Sequence, residues 1–139
     1  MKSTLKTYLV FTTITLLVVI PLELIFSPHH RRTIAEYGLG YFIRHSLVGM
    51  VILFAVVSLI GMVILLKKEY TPVRMGVLSL ILGFAIEFLF MRPDWVQAVV
   101  TFKIGGGTIV AVLISAFYWF AVWGIPSYVI YRYFAQELP

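Results

Sequence analysis

The sequence predicts an all-α membrane protein built as a four-transmembrane-helix bundle, and three observations support this fold class. The chain is 61 % apolar, with a mean hydropathy of +1.00, which is well above the level of soluble globular chains. Two stretches, Ile104 to Tyr131 and His45 to Leu66, contain no Asp, Glu, Lys or Arg. Lys and Arg instead flank the apolar runs, as expected of residues that anchor helices at lipid headgroups.

The 139 residues form one predicted transmembrane domain, residues 1–139, with four spans. These are residues 7–26, 44–66, 73–91 and 108–131, each close to the roughly 20 residues that cross hydrocarbon. Spanning segments must be helical because lipid offers the backbone no hydrogen-bond partners. Lys2 and Lys6 precede the first span as in a signal peptide, but no small-x-small cleavage site follows, so we expect this span to be retained.

Two connecting segments have helical signals of their own. Thr33 to Glu36 has the pattern of a capping box, which predicts a short helix beginning near Ile34. Asp94, Gln97 and Thr101 share one helical face, so the segment Asp94 to Thr101 is predicted to form a short helix in the membrane interface before the fourth span.

The orientation depends on a small difference in basic residues. One side collects six, namely Lys2, Lys6, Lys67, Lys68, Arg74 and Arg132. The other side collects five, namely Arg31, Arg32, Arg44, Arg92 and Lys103. Because basic residues favour the cytoplasmic side, both termini are predicted to be cytoplasmic.

A short similarity between the two halves suggests a pair of parallel two-helix hairpin repeats. Glu23 to Phe26 resembles Glu87 to Phe90 at an offset of 64 residues. Two spans return the chain to its starting side, so repeats of this length would have the same orientation. The alternative is that the two segments are similar by chance, because the chain is built largely from a few apolar residue types.

Glu23 and Glu87 are the acidic residues inside the predicted spans, and they carry the functional hypothesis. Each lies near the end of a span that runs in the same direction, so the two carboxylates should have similar depth in the outer leaflet. The basic candidates around them are Arg44, His45 and Arg92, together with a predicted anion-facing loop of His29, His30, Arg31 and Arg32. A polar pocket of this kind could bind a ligand, an ion or a proton.

The alternative is that Glu23–Arg44 and Glu87–Arg92 are structural ion pairs near the interface. Adjacent histidines in a loop are more often solvated than metal-bound, so no metal or other cofactor is predicted. No catalytic residue is assigned either, since the chain has no cysteine and no serine lies in a recognisable nucleophile elbow. Nucleic acid is excluded as a partner because the basic residues form no single face.

Arg44-His45 at the opening of a span, with Ile86-Glu87 followed by Arg92 and Asp94, is similar to a pattern in VanZ-like membrane proteins. The similarity covers less than a third of the chain. The glutamine and asparagine that accompany this pattern are absent, so no function is carried over.

Three functions from different classes are therefore open. The favoured one is an oligomeric transporter or channel, because intramembrane carboxylates often mark ion or proton routes and four helices are few to enclose a path. The second is a non-catalytic accessory or assembly subunit of a larger membrane complex. The third is a membrane enzyme acting on lipid headgroups, with the glutamates, His45 and the arginines as acid, base and phosphate clamp.

Overall fold

The computed structural model describes residues 3–68, 70–134 and 136, and this part of the chain is helical with no strands. Six helices follow one another: α1 (Thr4–Phe26), α2 (Pro28–Tyr37), α3 (Leu39–Lys67), α4 (Pro72–Met91), α5 (Asp94–Val100) and α6 (Gly106–Phe134). Within these residues α1, α3, α4 and α6 are long and apolar enough to cross a membrane. The predicted all-α class with four spans is confirmed, and the protein is a multi-pass membrane protein.

The helix ends are set by local capping chemistry. The Ser3 hydroxyl accepts from the backbone N–H of Lys6 at 3.2 Å, and the Thr71 hydroxyl accepts from that of Arg74 at 3.4 Å. Pro72 then occupies the first turn of α4, where a missing N–H costs nothing. Capping therefore begins α1 three residues earlier than predicted.

The helix predicted near Ile34 begins instead at Pro28, so the capping-box interpretation is wrong. Ser27 is extended, with φ −101° and ψ 103°, and separates α1 from α2. Pro28 has the fixed φ of a first helical residue and starts α2 directly. Thr33 lies inside the helix, where its hydroxyl donates to the His29 carbonyl at 2.9 Å.

Helix α6 is the centre of the bundle. It packs most extensively along α4, and it also contacts α1 and α3. Three large side chains of α6 lie against glycines: Trp119 on Gly83, Phe120 on Gly76 and Trp123 on Gly61. We call these three pairs the glycine seam. Glycine lets the rings approach the neighbouring backbones closely, which is how membrane helices gain packing energy without a hydrophobic driving force.

Two hydrogen bonds hold the seam in register. The Ser79 hydroxyl on α4 donates to the Trp119 carbonyl on α6. The Trp123 indole N–H donates to the Val57 carbonyl on α3 at 3.1 Å. Trp119 and Trp123 are buried, with 2 % and 1 % of their surface exposed, so both rings lie in the core of the bundle.

The described helices contain three π-helical turns, at Ile43–Leu47, Glu87–Met91 and Ile130–Phe134. The second ends α4, where the Arg92 N–H donates to the Glu87 carbonyl at 2.7 Å and Arg92 adopts a left-handed conformation with φ 43°. Such turns insert one residue into a helix and re-aim side chains, and they are frequent at functional sites. Glu87 is the first residue of the π-helical turn that ends α4.

The predicted short helix before the fourth span exists as α5. Trp95 fixes it to α4 through ring contacts with Phe84 and Phe88, at centroid distances of 5.6 and 5.4 Å. Its location in a membrane interface stays a prediction, as does the internal repeat, although a long, a short and a long helix follow one another in each half. The orientation of the termini also stays a prediction, and Lys2, on which it partly depends, lies outside the described residues.

Candidate functional site

Glu23 and Glu87 come together in the folded chain. Both line a cavity of about 440 Å³ and a smaller one of about 140 Å³. Ser27 and Tyr118 also line both cavities, so these four residues form the shared wall. The carboxylates reach this wall from different helices, because Glu23 lies near the end of α1 and Glu87 near the end of α4.

Glu23 has two polar partners. The Tyr118 hydroxyl donates to Glu23 Oε1 at 2.8 Å, and His30 Nε2 lies 3.2 Å from Glu23 Oε2. His30 reaches this position because Ser27 is extended and α2 begins directly at Pro28, which places His30 in the first turn of α2, next to the end of α1. The His30 ring also packs edge-on against Phe42 at 5.5 Å, which holds it in place. Both oxygens of Glu23 are thereby satisfied by the protein.

Glu87 has a different environment. Its side chain is 9 % exposed, and its Oε2 atom is buried with no hydrogen-bond partner among the described residues. The Trp119 indole and the Ser115 hydroxyl face its carboxyl group from α6. A buried carboxyl oxygen without a partner is costly to the fold, and the Trp119 and Ser115 donors beside the carboxyl group offset part of that cost.

The ion pairs expected from the sequence, Glu23–Arg44 and Glu87–Arg92, are wrong: neither forms in the described part of the chain. Because α3 begins at Leu39 rather than at residue 44, Arg44 lies within the helix, exposed, and its Nε donates to the Gly40 carbonyl at 3.3 Å. Arg92, which is itself in the left-handed conformation after the π-helical turn, lines a separate cavity of about 310 Å³.

His45 is also absent from the two cavities that the glutamates line. Its ring packs on Tyr41 at a centroid distance of 4.2 Å, on an exposed part of α3. Of the basic candidates that the sequence offered, His30 therefore lies beside Glu23, whereas Arg44, His45 and Arg92 line neither glutamate cavity.

The predicted anion-facing loop is wrong as a loop, because His29, His30, Arg31 and Arg32 all belong to helix α2. The helix separates them onto different faces. His29 and His30 line the 440 Å³ cavity, whereas Arg31 and Arg32 are exposed and do not line it. Of these four residues, the two histidines therefore belong to the candidate site and the two arginines do not.

Sequence reasoning missed the contribution of α6. Ser115, Tyr118 and Trp119 supply the groups that face the glutamates, and the sequence pattern placed none of the three at the site. Their spacing of three and four residues places them on one helical face, and that was the available signal. Phe54 of α3 completes an aromatic cluster, with centroids 6.3 Å from Tyr118 and 5.9 Å from Trp119.

The fold and this cavity define the protein as a multi-pass helical membrane protein in which two acidic side chains share one wall between the spans. No family model, curated protein or solved structure matches the chain, and the pattern shared with VanZ-like proteins is not accompanied by a family match.

Proposed function

We propose that this protein is an oligomeric transporter or channel for cations, protons included, and that Glu23 and Glu87 form its cation site. The observation that carries the proposal is the buried, unpartnered Oε2 of Glu87 in the wall of a cavity that Glu23 also lines. Acidic residues at this depth in apolar helices commonly mark ion or proton pathways.

The energetics favour a functional over a structural role for Glu87. A buried polar atom without a partner costs about 1 to 3 kcal/mol, and a structural carboxylate would be expected to have a cation beside it. Glu23 has His30 and Tyr118, but Glu87 has no ion pair among the described residues. A cation or proton at Glu87 would compensate this cost, and Glu23, whose oxygens face Tyr118 and His30, adds a second carboxyl group to the wall of the same cavity.

The alternative functions fit these contacts less well. A lipid-headgroup enzyme would use His45 and the arginines as a phosphate clamp, but Arg44, His45 and Arg92 line neither glutamate cavity. An accessory subunit needs no cavity with an unpartnered carboxylate. Oligomerisation follows from the small number of spans, since four helices leave little room for a complete pathway.

The test is cation flux into proteoliposomes that contain the purified full chain and the pH-sensitive dye pyranine. Under an imposed potassium diffusion potential, the wild-type protein should move protons, or sodium when a sodium-sensitive dye replaces pyranine. Glu87→Gln and Glu23→Gln should abolish the flux, because the amide keeps the shape and removes the charge. Glu36→Gln is the matched control, since Glu36 is exposed on α2 and lines neither cavity.

Flux that is unchanged in both glutamate variants would contradict the proposal. The oligomeric state in detergent distinguishes transport from the accessory-subunit function. A homo-oligomer supports transport, and purification with one constant heterologous subunit supports the accessory role.

A further inference from the structure

We infer that the 440 Å³ cavity binds a singly charged organic cation, an amine or quaternary ammonium with an apolar body. This inference rests on the proposed cation site and names its substrate class. All four long helices contribute to the cavity wall, and the cavity opens to the surface at exposed lining residues such as Gly49 and Leu53, so a ligand could enter it from the side of the bundle.

The size of the cavity favours an organic ligand. A water molecule takes up roughly 30 Å³ of liquid, and small-molecule pockets have volumes of about 300 to 1,000 Å³. The cavity, at about 440 Å³, falls in the second range. An inorganic cation would also need several oxygen ligands at short range. The side-chain oxygens of the described lining belong to Glu23, Ser27, Glu87 and Tyr118, and those of Glu23 already face partners.

The rest of the wall is apolar and aromatic. Phe54, Tyr118 and Trp119 form one side, and the Tyr118 and Trp119 rings meet nearly at right angles with centroids 5.3 Å apart. Met50, Leu53 and Met91 add flexible or branched aliphatic surface. Phe54 and Trp119 are each 2 % exposed and Tyr118 is 8 % exposed, so these rings present a small area to the cavity. Aromatic surface beside a carboxylate attracts organic cations through the ring quadrupole, and the aliphatic groups cover the apolar body.

The charged residues of the cavity wall indicate the sign and the number of charges on the ligand. Among the described lining residues there is no Lys or Arg, and the basic side chains there are His30, which lies against Glu23, and His29, which is exposed and contacts the His30 ring, so an anion would find no permanently charged cationic partner. Glu87 provides the carboxyl oxygen that the protein leaves without a partner. One available carboxylate matches one positive charge.

The experiment is binding of radiolabelled benzyltrimethylammonium to the purified full chain in detergent. This probe carries a permanent single charge, so its own state does not change with pH. We expect saturable binding to the wild type, on the order of tenfold weaker binding in Glu87→Gln, and a loss of about two- to fivefold in Phe54→Leu. Glu36→Gln should bind as the wild type does. Neopentylbenzene, in which carbon replaces the charged nitrogen, should not compete.

A second variant guards against misfolding of the glutamate variant. Gly49 lines the cavity, and a Cβ added there would meet no atom within 4 Å, so the backbone tolerates a side chain at this position and we expect Gly49→Leu to fold and to narrow the cavity at its wall. Its binding should fall while its elution on size-exclusion chromatography stays that of the wild type.

Absence of binding in the wild type, unchanged affinity in Glu87→Gln, or equal competition by neopentylbenzene would each overturn the inference. Failure of the inference is distinguishable from failure of the proposed function. Glutamate-dependent proton or sodium flux without benzyltrimethylammonium binding overturns only the organic-cation assignment, whereas flux that does not depend on either glutamate overturns the cation site itself.

Discussion

The two sides of helix α6 both carry aromatic side chains, but these are packed on one side and border a cavity on the other. On the glycine seam, aromatic rings fill all the space that the glycines of α3 and α4 leave. On the cavity side, Ser115 and Tyr118 border open volume and face acidic groups. Trp119 belongs to both, because its ring lies on Gly83 and also lines the 440 Å³ cavity.

This difference shows how a small bundle can hold a polar cavity. The seam is close-packed and hydrogen-bonded, so it fixes α4 and α6 relative to each other. The cavity side borders open volume and includes an unpartnered carboxyl oxygen. The comparison predicts that substitutions on the seam reduce stability, whereas some substitutions at the cavity increase it at the expense of function.

The largest effect is expected at Gly83. A Cβ at this position would collide with the Trp119 ring, so Gly83→Ala should destabilise the protein by about 1 to 3 kcal/mol, and Gly83→Leu should prevent stable folding. The measurement is thermal unfolding in detergent, followed by circular dichroism. A melting temperature for Gly83→Ala equal to that of the wild type would mean that the seam is not close-packed.

The opposite sign is expected at Glu87. Glu87→Met keeps a similar length and removes the unpartnered oxygen, so stability should rise by roughly 1 to 3 kcal/mol while cation flux is lost. Glu36→Met is the surface control and should change stability by no more than about 0.5 kcal/mol. A destabilised Glu87→Met would indicate a structural role for the carboxylate.

A smaller loss is expected at Tyr118. Tyr118→Phe keeps the ring and removes the hydroxyl that donates to Glu23, which should cost about 1 to 2 kcal/mol. Tyr128, which is 56 % exposed, provides the matched control, and Tyr128→Phe should be close to neutral. Equal melting temperatures for the two variants would argue against the Tyr118–Glu23 bond.

The smallest effect is expected at Gly49, the glycine of the cavity side. An added Cβ meets no atom within 4 Å, so Gly49→Ala should be neutral or should stabilise α3 by up to about 1 kcal/mol through helix propensity. Alanine at Gly49 and at Gly83 thus tests the same chemical change on the two sides. Similar losses at both positions would remove the distinction between seam and cavity.

The sequence by itself predicted the four spans and the short helix α5, and it singled out Glu23 and Glu87, which line the same cavities. Hydropathy over about 20 residues is a local property, so span number does not depend on how the helices pack. The shared position of the glutamates follows from the fixed rise of 1.5 Å per residue along two helices that run in the same direction. Helix starts were less accurate, because Ser27, Pro28 and the glycines near Leu39 set them in detail.

Only the tertiary structure decided which side chains surround the glutamates. Tyr118 is 95 residues from Glu23 in the chain, and their contact depends on how α1 and α6 are rotated about their own axes. These helices are apolar on nearly every side, so the sequence contains no polar stripe that would fix those rotations. The glycine seam fixes the rotation of α6 instead, since a ring can approach the neighbouring backbone only where a side chain is missing. The rotation of α1 is fixed by contacts of its own, such as the hydrogen bond that the Tyr8 hydroxyl donates to the Ala55 carbonyl on α3 at 2.9 Å.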